Sequence, residues 1–263
     1  MADLQIQFHD GANYEDFMGR WSRLAGEEFL RWLAPPAGQR WVDVGCGNGA
    51  FTELLVERHA ALEVQGIDPS AAQLAFARTR FAGGAAQFQP GDAMALPFAD
   101  AGFDAAVMAL VIFFVPEPAK GVAEMARVVR PGGSVSAYAW DILGGGFPFV
   151  AVEEEMAALG TTPARPPSDA ASRIDALHAL WTGAGLEAVE TTQIGVQRTF
   201  ADFDSFWRIS QTSHLLGPRI ATMTPGKVER LRERLRERMV AAADGSVTVG
   251  ARANAVKGRR PGP

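Results

Sequence analysis

The run Trp41-Val42-Asp43-Val44-Gly45-Cys46-Gly47-Asn48-Gly49 constrains this chain more than any other stretch. A short strand-like segment leads into glycines at alternate positions, and Phe51, Thr52, Leu54, Leu55 and Val56 then begin a helical pattern. Strand, glycine turn and helix in that order set bare backbone N–H groups at a helix N-terminus, with no Cβ atoms to hold a ligand away. Asp43 is the odd residue, because a carboxylate in an apolar strand needs a partner. Alone, it would read as a turn cap or as an acceptor of backbone N–H bonds. Beside the glycines and a second acid at Asp68, it reads as part of a ligand site.

Asp68 lies 19 residues past Gly49 and ends an alternating segment from Leu62 to Ile67. In an open parallel sheet, an acid at the carboxyl end of the second strand faces the ligand crevice and can accept the hydroxyl protons of a ribose. Asp68-Pro69-Ser70 also suits an ordinary helix start. A third strand over 85–89 leads to Gly91-Asp92, where a loop can bring a carboxylate to an exocyclic amine while Ala93 and Met94 line the ring of a base. Gly-Asp is equally at home in a surface turn. Phe103 to Leu110 is a continuous apolar fourth strand, and Ser134 to Trp140 a fifth after a break at Arg130-Pro131-Gly132-Gly133.

Helices over 50–59, 71–81 and 119–129 alternate with these strands, which predicts a doubly wound α/β fold. Leu186 to Phe200 and Ser246 to Val256 alternate as a sixth strand and a last one antiparallel to it. The fold expected is a seven-stranded Rossmann-like sheet, parallel but for its last strand, with helical insertions as a cap. By segment, 1–37 is an N-terminal helical cover, with a helix from about Arg20 to Leu33, and 38–140 is the core. Residues 141–170 form an insertion or lid, 171–200 a core helix with the sixth strand, 201–243 a helical cap insertion, and 244–263 the last strand and a tail.

The chain has 263 residues, a net charge of −5 and a sequence pI near 5.5, so it has no bulk attraction for nucleic acid or an anionic membrane. In the second insertion, Val228, Leu231, Leu235 and Met239 make a narrow apolar stripe, and the arginines and glutamates between them read as a solvated face. The longest apolar run, Ala105 to Val115, spans 11 residues, short of the ~20 that cross a bilayer as a helix. No basic leader is visible, and the single cysteine, Cys46, offers neither a disulfide framework nor a zinc cluster, so a cytoplasmic location is expected.

Four segments together carry a resemblance: Val42 to Gly49, Gly66-Ile67-Asp68-Pro69-Ser70, Gly91 to Phe98, and Arg127-Val128-Val129-Arg130-Pro131-Gly132-Gly133. They resemble the class I S-adenosylmethionine-dependent methyltransferases, and most of all the type 11 bacterial branch related to ubiquinone and menaquinone biosynthesis. The likeness covers about residues 12–140 and continues more loosely to the end. It implies S-adenosylmethionine as cofactor and S-adenosylhomocysteine as product. It gives Asp43 and the backbone of Gly45, Cys46, Gly47 and Gly49 to the methionyl part, and Asp68 with Pro69 to the ribose. Asp92 and Ala93 go to the adenine, backbone at Ala109 to the methionine amine, and Tyr14 and Arg20 to a closure over the carboxylate.

Many relatives place a histidine just after the fourth strand, whereas this chain reads Val111-Ile112-Phe113-Phe114, so that base is absent. Candidates for a base are then Tyr14, Tyr138, Asp141, His9 and His214, each also readable as structural. Gly45, Gly47 and Ala50 match the G-x-G-x-x-A of dinucleotide binders too. A carboxylate at Asp43 would repel their pyrophosphate but attract an ammonium and a sulfonium. The expected activity is methyl transfer by in-line displacement to a small apolar or aromatic acceptor, held among Trp140, Phe147, Phe149, Phe203, Phe206 and Trp207, with no metal. The alternatives are a S-adenosylmethionine-binding protein without turnover and an NAD(P)-dependent oxidoreductase. The expected partner is the small acceptor alone, with monomer and homodimer both open.

Overall fold

The computed structural model describes residues 15–81, 84–162, 165–213 and 215–262. Its centre is one seven-stranded sheet, in the order β3-β2-β1-β4-β5-β7-β6. The strands are β1 (Arg40–Val44), β2 (Glu63–Asp68), β3 (Ala86–Pro90), β4 (Phe103–Ala109), β5 (Val129–Trp140), β6 (Glu187–Phe200) and β7 (Val247–Arg259). The first five pair in parallel, and β7 slots between β5 and β6, antiparallel to both. The chain order reverses direction at β1 and β4. Ligands of such sheets bind outside the carboxyl ends of the strands at that switch point.

The strands that meet there are apolar along their length because helices cover both faces. Trp41, Val42 and Val44 of β1 and Ala105 to Met108 of β4 are buried. The helices are α1 (Arg20–Leu33), α2 (Ala50–His59), α3 (Ala71–Arg80), α4 (Pro118–Val128), α5 (Val150–Ala158), α6 (Ile174–Gly183), α7 (Phe203–Thr212), the single turn α8 (Gly217–Ile220) and α9 (Pro225–Arg238). Trp21, Ala25, Phe29 and Leu30 form the buried stripe of α1, at the helical spacing expected of a face laid on a core. Ahead of it, Phe17 and Met18 are buried in a π-helical turn over Glu15–Gly19, and the Phe17 carbonyl accepts a bond from Arg198 of β6.

The expected break before β5 is instead a bulge within it. Phe103 pairs with Val129 and Ala105 with Ser134, so the intervening residues on β5 loop out. The loop is held from the C-terminus: the Gly132 N–H donates to Arg260 O at 2.9 Å and the Arg260 N–H to Gly133 O at 3.0 Å. Residues 258–259, expected to begin a tail, therefore belong to β7. No described helix is long and apolar enough to cross a membrane.

Both insertions pack on the sheet's carboxyl side. The segment after α5 is fastened there by Ser168, whose N–H donates to Phe113 O at 3.0 Å and whose hydroxyl donates to Val115 O at 2.8 Å. Those acceptors lie in the loop after β4. The cap's interior is aromatic: Phe149 lies 4.5 Å from Phe17 and stacks on Phe206 at 5.6 Å, and Phe206 meets Phe200 edge-on at 5.3 Å.

Candidate functional site

The glycine loop is positioned by main chain. Its first two N–H groups, Gly45 and Cys46, both donate to Ile67 O, at 2.7 and 3.0 Å, which locks the turn onto the end of β2. Gly45, Gly47 and Gly49 all have positive φ, at 76°, 53° and 80°, a region that costs other residues ~1 kcal/mol or more. The glycines differ in purpose. A Cβ on Gly45 would come within 2.5 Å of the Val111 methyl groups, so its bareness admits the β4 loop, whereas a Cβ on Gly47 would project into open space. Gly47 leaves room in front of the loop, where a ligand would lie.

Val111 reaches Gly45 because Leu110 turns the chain sharply after β4. Leu110 has a φ of +63°, and its N–H is held by Tyr138 O at 2.8 Å. A bulky residue in the left-handed region at a strand end over the crevice is local strain stored where ligands bind.

Two carboxylates flank this loop. Asp68 accepts the Gly47 N–H at 2.9 Å through one oxygen and the Ser70 N–H at 2.8 Å through the other. Burial raises its pKa and those two bonds lower it, with a net upward shift. Each oxygen keeps a lone pair. Asp43 is fully buried beneath the first turn of α2, with Oδ2 accepting the Thr52 hydroxyl at 2.7 Å and Oδ1 left without a partner. Desolvation lifts its carboxyl to about 7, with the charge on Asp68 adding to the rise and the Thr52 bond opposing it. A buried acceptor in want of a donor, beside a loop cleared of side chains, fits a cationic ligand group.

Asp92 is exposed, and its Oδ1 accepts the Met94 N–H at 2.8 Å, which shapes the turn after β3. That loop is pinned by Arg127. Its guanidinium donates to Phe98 O at 2.8 Å, Leu96 O at 3.0 Å and Glu124 Oε1 at 2.7 Å. Ala93 is half-buried on the same loop, Ala109 ends β4 at the crevice, Pro69 is exposed just after Asp68, and Arg20 is exposed at the start of α1. Tyr14, His9 and His214 lie outside the described residues.

Three of the expected site residues have side chains held by the protein itself. The Cys46 thiol is buried against Gly66 of β2, with its pKa pushed up chiefly by that burial, so the side chain packs on the sheet and only the backbone faces the loop. Tyr138 is fully buried, its ring 4.7 Å from Phe29 and 5.7 Å from Phe51, and its hydroxyl donates to Ser22 O at 3.5 Å. It belongs to the core under α1. Asp141 is held by Arg252 at 2.7 Å and by the Gly144 N–H at 3.1 Å, as the hub of the turn that leaves β5. Sequence reasoning missed Thr52 and Val111. A hydroxyl two residues inside α2 and a valine after β4 reveal their roles only once the strands are paired.

Residues 42–137 match the methyltransferase domain family. A demethylmenaquinone methyltransferase from Renibacterium salmoninarum is 38% identical over 116 residues, 44% of this chain and 46% of the relative. The match thus spans less than half the length of either protein. Among solved structures, Haemonchus contortus phosphoethanolamine N-methyltransferase 2, in complex with phosphomonomethylethanolamine and S-adenosylhomocysteine, superposes with a TM-score of 0.60 at 18% identity, covering 98% of this chain and 59% of that one. The [4+2]-cyclase SpnF superposes with a TM-score of 0.54 at 20% identity, over 93% of this chain and 81% of its own. At such identities the structures attest to the fold alone, and the cyclase shows that this fold also hosts other chemistry. The sequence likeness to the methyltransferase domain family is carried by residues 42–137, the stretch that holds the glycine loop, Asp43 and Asp68.

Proposed function

We propose that this protein binds S-adenosylmethionine across the carboxyl ends of β1, β2 and β4 and transfers its methyl group to a small acceptor with an apolar or aromatic body. The observation that carries the reading is the pair of carboxylates on either side of the positive-φ glycine loop. Asp43 Oδ1 needs a donor, and each Asp68 oxygen keeps a lone pair beside the loop, one next to Gly47 and one next to Ser70. A pyrophosphate would meet two acids at the same place.

When bound, this cofactor supplies a methyl group on a sulfonium. In this reading Asp43 and the loop backbone hold the methionyl end, Asp68 the ribose, Asp92 and Ala93 the adenine, and the Ala109 carbonyl the amine, with Arg20 near the carboxylate. The protein's work is then alignment and exclusion of water. Residues 38–140 supply the cofactor floor, and 1–37, 141–170 and 201–243 the cover and cap that enclose the acceptor. The buried rings Phe147, Phe149, Phe203, Phe206, Trp207 and Trp140 give that enclosure its apolar character.

Thermal-shift titration with S-adenosylhomocysteine and with NAD tests the reading. The sulfur nucleoside should raise Tm and NAD should not, and the reverse result would overturn it. Asp68→Ala should weaken S-adenosylhomocysteine by ~1 to 3 kcal/mol, roughly five- to 150-fold in Kd. Labelled cofactor offered with an acceptor panel separates transfer from binding without turnover.

A further inference from the structure

Three acidic side chains are buried among the described residues: Asp43, Asp141 and Glu153. Thr52 holds the first and Arg252 the second. Glu153 has neither a hydrogen bond nor an ion pair to any described residue. Arginines are not in short supply around it. Its neighbours in the Glu153-Glu154-Glu155 run both pair across to α9, Glu154 with Arg238 at 2.6 Å and Glu155 with Arg234 at 3.3 Å. Helix periodicity turns those two outward and Glu153 inward, onto the buried face with Val152 and Met156.

That face belongs to the cap. Glu153 follows Phe149 by four residues, so the two stand one above the other on α5, and Phe149 is the ring that bridges Phe17 and Phe206. The positive charges nearest its carboxylate are Arg165 and Arg219, both beyond ion-pair distance. Arg165 lies on the segment that Ser168 fastens to the loop after β4, and Arg219, on α8, donates to Thr162 O. Glu153 therefore stands where both insertions meet, one helical turn from Phe149 and on the side of the β4 exit, with most of its side chain covered. A largely covered carboxylate with no protein donor gains no bond from the fold, and a ligand hydrogen can complete its bonding.

We propose that Glu153 is the polar recognition point of the acceptor chamber, taking a hydroxyl or amine hydrogen of an acceptor that is otherwise apolar and aromatic. The proposal rests on the methyltransferase reading and names the acceptor class for that same site. Burial lifts the Glu153 carboxyl to about 7, while Arg165 and Arg219 draw it down, as suits a group that completes its hydrogen bonding with a ligand.

The experiment compares wild type, Glu153→Gln and Glu153→Met, each saturated with S-adenosylhomocysteine, by ligand-observed NMR with the matched probes phenol and anisole, and benzylamine and ethylbenzene. In wild type, at least one donor-bearing probe should bind tenfold or more tightly than its partner. The preference should vanish in Glu153→Met and be reduced in Glu153→Gln, which keeps an acceptor oxygen without the charge. Both variants should match or exceed the wild-type Tm, because neither removes a hydrogen bond or ion pair to a described residue. No preference in wild type, no binding of either probe, a preference retained in Glu153→Met, or a lowered Tm in both variants would each overturn the proposal. If the wild type does not bind S-adenosylhomocysteine, the methyltransferase reading falls, and this proposal with it.

Discussion

The floor and the roof of the crevice are built by opposite means. On the floor, polar atoms close in sequence hold one another: Asp43 takes Thr52, Asp68 takes Gly47, and Ile67 O takes Gly45 and Cys46. The roof brings together rings from residues 17, 149, 200 and 206, with dispersion and burial as the cohesive force. A floor of main chain and fixed spacing tolerates little change, whereas a roof of interdigitated rings can be refilled. One cofactor and many acceptors are what such a division permits.

The largest expected effect breaks the comparison at the roof. Phe206 is buried against Phe149, Phe200 and Phe203. Phe206→Ala should cost about 3 to 5 kcal/mol of stability and lower Tm by roughly 10 °C. If floor and roof are independent, its Kd for S-adenosylhomocysteine, read by calorimetry, stays within twofold of wild type. A tenfold loss would show that the cap helps to build the cofactor site.

This division also explains what could be read from the sequence. The sheet and the floor depend on local patterns, so the strand–glycine–helix order was legible from spacing, and the fold brings Asp43, the glycines and Asp68 together. The orientations of the Cys46 and Tyr138 side chains lay outside those patterns. A residue between two glycines does not reveal which way its side chain turns, and a tyrosine near the end of a strand does not reveal which face it joins. The bulge at 130–133 hides behind a Pro-Gly-Gly that looks like a chain break, because its partner, Arg260, is over a hundred residues away. In the roof, Glu153 sits in a Glu-Glu-Glu run whose three members look alike in sequence, and only the packing of α5 on α9 separates it from its neighbours.

A second, smaller effect concerns the charge beneath the floor. The Asp43 carboxyl titrates at about 7 in the folded protein and near 3.9 when unfolded. Between those values the folded state keeps a proton that the unfolded state has lost, so raising the pH through this window costs stability, in full above about 7. The order of magnitude is about 4 kcal/mol. Asp43→Asn should therefore raise the ligand-free Tm at pH 8, leave it nearly unchanged at pH 4, and weaken S-adenosylhomocysteine binding. Glu153 contributes a slope of the same sign, so part of the pH dependence survives in the variant. A lower Tm for Asp43→Asn at pH 8 would mean that the carboxylate holds the loop together instead of awaiting a cation.

The smallest effect on stability sharpens the distinction within the floor. Gly47 and Gly45 both need a left-handed backbone, but only at Gly45 would a side chain strike protein. Gly47→Ala should cost ~1 kcal/mol, the strain of an L-residue at positive φ, and a Tm loss of a few degrees. Its methyl group would stand where the cofactor lies, so the Kd for S-adenosylhomocysteine should rise tenfold or more. Gly45→Ala should reverse the balance, with the larger fall in Tm, because Val111 and the strained turn at Leu110 must shift to admit the methyl. Equal losses of Tm in the two variants, with cofactor affinity untouched in Gly47→Ala, would show that the open space before Gly47 is not the place where the ligand rests.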